Sequence, residues 1–145
     1  MTYDFSGRRA FVTGSTKGIG LSIAQSFLLY GADVILNGRS PCNLAHIIPD
    51  VFIDRSSYFQ GDLTDPSVSS LFASRLVDDN RKIDILICNV GSGSSVPPGH
   101  ETYEEFQRVF DLNFFASFNI INSFLRSDVF SPSASIIWVS LFTNL

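Results

Sequence analysis

Residues 9–20, RAFVTGSTKGIG, decide the fold because they join an apolar segment to a glycine-rich loop and then to a helix. The apolar residues predict a first strand over 9–13. From Ile19 to Tyr30 the apolar residues recur at helical spacing, and Gly31 is a natural stop. The start of the chain therefore predicts a strand, a tight loop and a helix in succession.

The loop itself, TGSTKGIG at 13–20, contains glycines at positions 14, 18 and 20. Glycine allows a tight turn and a close approach of a ligand to the main chain. Backbone N–H groups of such a loop, together with the N-terminus of the following helix, can face a pyrophosphate. Three glycines alone are a weak signal, so a turn that binds no ligand remains an alternative.

Strands and helices alternate along the rest of the chain. Further strands are predicted over 33–36, 57–60, 83–88 and 136–139. The helices between them are a short one from Ser40 and Pro41 toward Ile48, one that begins after Asp65-Pro66, and a long one from Thr102 to about Leu125. This order predicts an α/β fold of three layers, with a doubly wound parallel sheet of about five strands in one domain, 1–145.

Ligands of such sheets bind at the carboxyl ends of the strands. The predicted site is therefore formed by the segments that follow the strands, which are also the richest in glycine and polar residues. These segments are Gly14–Gly20, Asn37–Ser40, Gly61–Leu63, Asn89–Gly93 and Ser140.

Composition excludes several other classes of protein. The net charge is −4, from 10 basic and 14 acidic residues, and the absence of a basic run argues against nucleic acid as a partner. The first residues lack an apolar signal core and no stretch is long enough to span a bilayer, so we expect a cytoplasmic protein without a membrane partner. Cys42 and Cys88 lack metal-ligand spacing, so no metal site is expected and both are interpreted as buried thiols.

Four segments resemble the short-chain dehydrogenase/reductase family, and the likeness covers essentially the whole chain. TGSTKGIG is similar to the family's cofactor loop, GDLTD (61–65) to its adenine-holding segment, and CNVG (88–91) to its Asn-Asn-Ala-Gly segment. Asn113, in VFDLNFF, falls where the family has a catalytic asparagine. The resemblance implies a Rossmann-type fold and an NAD(P) cofactor. The implied cofactor-binding residues are Gly14, Ser15, Thr16, Lys17, Gly18, Ile19, Gly20, Asp62, Leu63, Asn89 and Gly91.

The end of the second predicted strand bears on the choice of nucleotide. An acid at this point takes the ribose hydroxyls of NAD, whereas a basic residue suits the 2′-phosphate of NADP. Here Asn37 is placed at the acid's position, with Arg39 close behind it and Lys17 in the glycine loop. NADP is therefore expected rather than NAD, unless both cations are only solvated surface residues.

The resemblance implies hydride transfer between the cofactor and a small-molecule carbonyl or alcohol. In the family a tyrosine, with a lysine four residues later, supplies the proton, a serine binds the substrate oxygen, and an asparagine holds a water. None of the four tyrosines of this sequence has a lysine at that spacing, so the chain is expected to stop before that motif and to bind cofactor without turnover. A non-catalytic dinucleotide-binding module and an inactive remnant are the alternatives.

The remaining candidate catalytic residues are Asn113 and Ser140. Ser140 can serve as the substrate-binding serine only with a shift of one residue, because Leu141 takes the family's second serine position. Asn113 equally suits a structural role, in which its amide satisfies a neighbouring backbone group.

The long predicted helix is apolar on nearly all sides, with aromatic residues repeated from Phe106 to Phe124. A helix of this kind is buried on more than one face. We therefore expect a homo-oligomer built on the helix over 103–125.

Overall fold

The computed structural model describes residues 3–92, 96–97 and 99–139. Its centre is a five-stranded sheet in which all neighbouring strands are parallel. In chain order the strands are Arg9–Val12 (β1), Asp33–Gly38 (β2), Ser56–Gln60 (β3), Ile83–Cys88 (β4) and Phe130–Trp138 (β5). The order across the sheet is β3-β2-β1-β4-β5.

Helices cover both faces of this sheet. They are Gly18–Leu29 (α1), Pro66–Asp78 (α2), Tyr103–Phe110 (α3) and Ala116–Arg126 (α4), with short 3₁₀ helices at Leu44–His46 and Asp50–Arg55. One apolar core lies between the sheet and α2 with α4, and includes Phe11, Phe72 and Phe124. The other lies on the α1 side and includes Val12, Leu28 and Leu36. The predicted three-layered, doubly wound fold is confirmed.

The order in which strands are added to the sheet changes direction at β1. β2 pairs with one edge of β1 and β4 with the other, so the connections that leave β1 and β4 run in opposite directions away from each other. A crevice forms at such a switch point, at the carboxyl ends of the strands. The glycine loop after β1 and the segment that begins at Asn89 border this crevice.

The predicted helix from Ser40 toward Ile48 is wrong. Residues 41–43 have no regular structure, and the only helical turn between Ser40 and Ile48 is Leu44–His46. This turn is capped by Asn43, whose side chain accepts a hydrogen bond from the Ala45 amide at 3.2 Å. The helical turn therefore begins after Asn43 and not after the predicted cap, Ser40.

Two further elements differ from their predicted form. The long helix is interrupted between α3 and α4 by a π-helical turn, Asp111–Phe115, which contains Asn113. β5 begins six residues earlier than predicted, because Phe130 and Ser135, at either end of a serine-rich stretch, also pair with β4. The β4–β5 register shifts between Ile83 and Ile85, where Pro132 and its neighbours form an irregularity.

None of the helices in the described part of the chain is both long and apolar enough to cross a bilayer.

Candidate functional site

A cavity of about 340 Å³ opens at the carboxyl ends of the strands. It is bordered by the glycine loop, the end of β2, and the segments that follow β3 and β4. The predicted site residues among its lining are Gly14, Thr16, Lys17, Gly18, Ile19, Asn37, Arg39, Asp62, Leu63, Asn89 and Gly91. The fold thus brings together four segments that lie far apart in the sequence.

The glycine loop is held in shape by Asn89. Its side-chain amide donates hydrogen bonds to the carbonyl oxygens of Thr13 at 3.2 Å and Gly14 at 3.1 Å. A Cβ at Gly20 would lie 2.5 Å from that amide nitrogen and 2.5 Å from the Gly14 oxygen. Gly14 and Gly18 have φ values of 60° and 58°, a left-handed conformation that favours glycine. Backbone conformation therefore explains the glycines at positions 14 and 18, and the lack of space for a Cβ explains the glycine at position 20.

Thr13 is a site residue that the sequence analysis missed. Its side-chain oxygen is buried and accepts hydrogen bonds from the backbone amides of Asn89 at 2.8 Å and Val90 at 3.0 Å. The hydroxyl thereby joins the end of β1 to the segment after β4. A threonine at the end of a predicted strand gives no sequence signal for this role.

The N-terminus of α1 borders the same cavity and has no side-chain cap. Its N-cap residue, Lys17, is extended and makes no capping hydrogen bond, and the first turn contains no acidic residue. The first amides of a helix have no acceptor within the helix, and the helix dipole places partial positive charge there. This arrangement fits the diphosphate of a dinucleotide.

Ser15 lies beneath the loop rather than in the cavity. Its side chain is fully buried and donates to the Val12 carbonyl at 2.7 Å, while it accepts from the Asn37 amide at 2.9 Å. Ser15 therefore fixes the loop against β2 and does not present its hydroxyl to a ligand.

Asn37 also differs from its predicted role at the acid's position. Its side chain is 1% exposed: the oxygen accepts from the Gly14 amide at 3.2 Å, and the nitrogen donates to the carbonyls of Phe59 at 3.1 Å and Gly61 at 3.2 Å. All of these contacts tie together β2, β3 and the glycine loop. The residue at the cavity edge is instead Gly38, where a Cβ would lie 2.8 Å from Thr16 and 2.8 Å from the Tyr58 hydroxyl.

Two cations stand at this edge of the cavity. Lys17 and Arg39 both line it and are both exposed. Within the described residues, neither side chain makes an ion pair or hydrogen bond. Their charges are therefore available to an anionic ligand.

The segment after β3 is built around Asp62. Its carboxylate accepts hydrogen bonds from the Thr64 amide at 3.0 Å and the Thr64 hydroxyl at 2.8 Å. Leu63 is buried, and its carbonyl accepts from the Asn119 side chain at 3.0 Å. Asn119 also donates to the Thr64 carbonyl at 3.2 Å, so this residue of α4, which the sequence analysis missed, supports the segment from below.

Asn113 holds the main chain after β4. Its side-chain oxygen accepts from the Ser92 amide at 2.8 Å and its nitrogen donates to the Ser92 carbonyl at 3.1 Å. Gly91 makes this approach possible, since a Cβ there would lie 2.6 Å from the Asn113 oxygen. These contacts correspond to the structural role considered for Asn113, in which its amide satisfies a neighbouring backbone group. Ser140, the other candidate catalytic residue, lies outside the described residues.

Of the two cysteines, Cys88 is buried at the end of β4, whereas Cys42 is only half-buried. Burial raises the pKa of the Cys88 thiol to about 11, so it stays protonated near neutral pH. Cys88 is a core residue and not a nucleophile of the site.

The sequence profile described as short chain dehydrogenase matches residues 8–142. The chain belongs to the short-chain dehydrogenase family. This is a family of oxidoreductases that use NAD(P), and the match covers all five strands and the cavity. The family resemblance seen in the sequence is confirmed.

Particular relatives agree with this assignment. Gluconate 5-dehydrogenase of Gluconobacter oxydans is 35% identical over 108 residues, which are 73% of this chain and 40% of that protein. A putative gluconate dehydrogenase of Agrobacterium tumefaciens has a solved structure with a TM-score of 0.82 and 26% identity, covering 95% of this chain and 55% of that one. The NADP-bound 3-oxoacyl (acyl-carrier-protein) reductase of Agrobacterium tumefaciens gives a TM-score of 0.73 and 26% identity, covering 87% and 49%. The chain thus spans about half the length of these short-chain dehydrogenase relatives.

Proposed function

We propose that the chain is the NADP-binding part of a short-chain dehydrogenase that transfers hydride between the cofactor and a small-molecule carbonyl or alcohol. The observation that carries the proposal is the cavity at the switch point of the sheet. It combines an uncapped helix N-terminus with two cations, Lys17 and Arg39, whose side chains have no partner in the described residues. Such a cavity suits a ligand that carries several phosphates.

Each part of the dinucleotide has residues suited to it. The diphosphate is assigned to the loop Gly14–Gly20 and the first amides of α1. Asp62 and Leu63 are assigned to the adenine, and Asn89 and Gly91 to the nicotinamide side of the cavity. Asn37 and Ser15 are retained as residues that support the loop, because their side chains are occupied within the protein.

NADP is proposed over NAD because of the charges near the end of β2. Gly38 leaves no room for an acidic side chain at the cavity edge, and Arg39 follows it directly. A guanidinium binds a 2′-phosphate well, whereas an unmodified ribose gains little from it. The NADP bound to the Agrobacterium tumefaciens reductase is in line with this choice.

The bound cofactor supplies the hydride, and this chain's residues bind and orient it. No tyrosine of the sequence has a lysine at the fourth following position, and the side-chain amide of Asn113 is engaged with Ser92. We therefore propose that the 145 residues alone bind the cofactor without turning over substrate. Ser140 remains a predicted contact to the substrate oxygen.

The test is a titration of NADPH and NADH that follows the fluorescence of the reduced nicotinamide. We expect NADPH to bind more tightly than NADH. Arg39→Ala should lower the affinity for NADPH about tenfold, as expected for the loss of a charge-assisted hydrogen bond, and should hardly change the affinity for NADH. Arg126→Ala is the matched control, because Arg126 is exposed on α4 and does not line the cavity. No binding of either nucleotide at millimolar concentration would refute the proposal.

A non-catalytic dinucleotide-binding module is the second candidate, favoured by the missing tyrosine–lysine pair. Both candidates predict that these 145 residues bind NADPH without turnover, which is tested by adding ketones to the NADPH complex and following its absorbance. Turnover that is abolished by Asn113→Ala would contradict the module and show that the chain itself is an active enzyme.

We also propose that the chain forms a homo-oligomer through the helical segment 103–125. Four phenylalanines at intervals of four residues, Phe106, Phe110, Phe114 and Phe118, form an exposed row on this segment. Consecutive rings are nearly parallel, with centroid separations of 6.1, 5.2 and 6.2 Å. A contiguous exposed apolar row of this kind favours association.

A cytoplasmic location is also proposed, on the composition of the sequence alone.

A further inference from the structure

The main chain that carries Arg39 is fixed by two side chains of the neighbouring strand. Gln60 donates a hydrogen bond from its side-chain amide to the Arg39 carbonyl at 3.2 Å. The hydroxyl of Tyr58 donates a short hydrogen bond to the Ser40 carbonyl. Because Tyr58 and Gln60 are two residues apart on β3, they point to the same face of the sheet.

Tyr58 also forms the wall that determines what fits at Gly38. A Cβ at this position would lie 2.8 Å from the tyrosine hydroxyl and 2.8 Å from the Thr16 methyl carbon. The glycine loop, the end of β2 and β3 therefore meet at one point, and an acidic side chain is excluded from it. The next residue along the chain that can reach the cavity is Arg39.

The tyrosine is well suited to a permanent hydrogen bond. Its ring packs on the core beneath α1. Burial and the neighbouring Cys42 raise the pKa of Tyr58, so its hydroxyl keeps its proton over the neutral range. By contrast, the Arg39 side chain has no partner in the described residues and depends on its backbone for its direction.

We infer that Tyr58 and Gln60 are positioning residues for nucleotide specificity: they fix the main chain of Arg39 and Ser40 and so direct the Arg39 guanidinium to the 2′-phosphate. The inference rests on the proposed NADP site and adds to it the residues that set its selectivity. Tyr58 and Gln60 act through the backbone of Ser40 and Arg39 respectively, so they affect recognition of the 2′-phosphate and not recognition of the rest of the nucleotide.

The experiment compares the double variant Tyr58→Phe/Gln60→Met with the unmodified chain. Both substitutions keep the size of the side chain and remove the donor. Calorimetric titration with adenosine 2′,5′-bisphosphate measures recognition of the 2′-phosphate, and titration with 5′-AMP measures the remainder of the adenosine site. We expect the affinity for the bisphosphate to fall about tenfold, as for the loss of two neutral hydrogen bonds, and that for 5′-AMP to stay within about twofold.

Tyr30→Phe is the matched control, because Tyr30 is exposed at the end of α1 and its hydroxyl makes no hydrogen bond in the described residues. An equal loss of affinity for both ligands, or no loss for either, would overturn the positioning role. If the unmodified chain binds neither ligand, the proposed NADP site itself fails. If it prefers the bisphosphate and the double variant keeps that preference, only the role of Tyr58 and Gln60 is refuted.

Discussion

The side chain of Asn113 makes two hydrogen bonds with the backbone of Ser92: it accepts from the amide at 2.8 Å and donates to the carbonyl at 3.1 Å. Asn113 lies in the π-helical turn between α3 and α4, and Ser92 lies four residues after the end of β4. The contact therefore joins a helix to the segment that borders the cavity. A π turn inserts an extra residue into the helix and often accompanies a functional position.

Asn113→Ala should loosen the segment after β4. Both backbone groups of Ser92 lose a partner, and we expect the free energy of unfolding to fall by about 1–3 kcal/mol. Urea denaturation measures this change. Asn122→Ala is the control, because Asn122 is a half-buried residue of α4 whose side chain makes no hydrogen bond in the described residues. Equal losses in the two variants would show that the Ser92 contact contributes little.

Gly20→Ala is predicted to destabilise the protein although alanine favours helices. The added methyl group would lie 2.5 Å from the Asn89 amide nitrogen and from the Gly14 carbonyl oxygen. The gain in helix propensity is at most about 1 kcal/mol, whereas forcing these groups apart costs about 1–3 kcal/mol. Thermal unfolding should show a lower midpoint for Gly20→Ala and a slightly higher one for Ser26→Ala on the exposed side of the same helix.

Asn37→Asp distinguishes the sequence-based role of this position from the one seen in the structure. If the side chain met the ribose, the change would improve NAD binding. In the structure the new carboxylate would face the carbonyl oxygens of Phe59 and Gly61 in a buried place. We expect a loss of at least about 2 kcal/mol in the free energy of unfolding and no gain in NADH affinity.

The control for that variant is Asn43→Asp. Asn43 caps a short exposed helix by accepting a hydrogen bond, which aspartate does equally well, so its stability should hardly change. A stable Asn37→Asp protein with tighter NADH binding would restore the sequence-based interpretation.

The sequence predicted the sheet well because its strands and caps carry local signals. IDILIC is a strand covered on both faces, and its bounds agree with Ile83–Cys88. Asp65 and Thr102 cap their helices as predicted, accepting from the amides of Ser67 at 2.8 Å and Glu105 at 3.1 Å. These features depend on neighbouring residues and can be recognised in a single sequence.

The directions of polar side chains could not be predicted in the same way. Asn37, Thr13 and Asn119 are each satisfied by backbone groups more than twenty residues away, and these partners are brought near only by the fold. The length of β5 was underestimated for a similar reason, since Phe130 and Ser135 pair with β4 although the stretch between them has no hydrophobic strand pattern of its own.

Asp84 makes the stability depend on pH. It accepts a hydrogen bond from the Arg9 amide at 2.9 Å and pairs with Arg8 at 3.1 Å. Burial raises the pKa of Asp84, but these contacts outweigh it and hold the pKa below its ordinary value. A lowered folded-state pKa gives stability that is fully present above the unfolded pKa of about 3.9 and is lost as the pH falls through the folded pKa.

Asp84→Asn should therefore cost about 1–2 kcal/mol at neutral pH. The difference from the unmodified chain should shrink as the pH is lowered below about 4, because the native carboxylate then becomes protonated. Urea denaturation at a series of pH values measures both curves. A difference that stays constant down to the acid end would show that the charge of Asp84 does not contribute.

The exposed phenylalanine row provides the test of self-association. Phe114 lies between Phe110 and Phe118 and also contacts the Trp138 ring, with centroids 5.5 Å apart. Phe110→Gln/Phe114→Gln removes two apolar side chains from the middle of the row, so we expect the dissociation constant of the oligomer to rise at least tenfold. Val51→Gln/Val77→Gln, at two exposed valines outside the row, should leave it unchanged. Sedimentation at micromolar concentration measures all three proteins, and a monomeric unmodified chain would contradict the proposed oligomer.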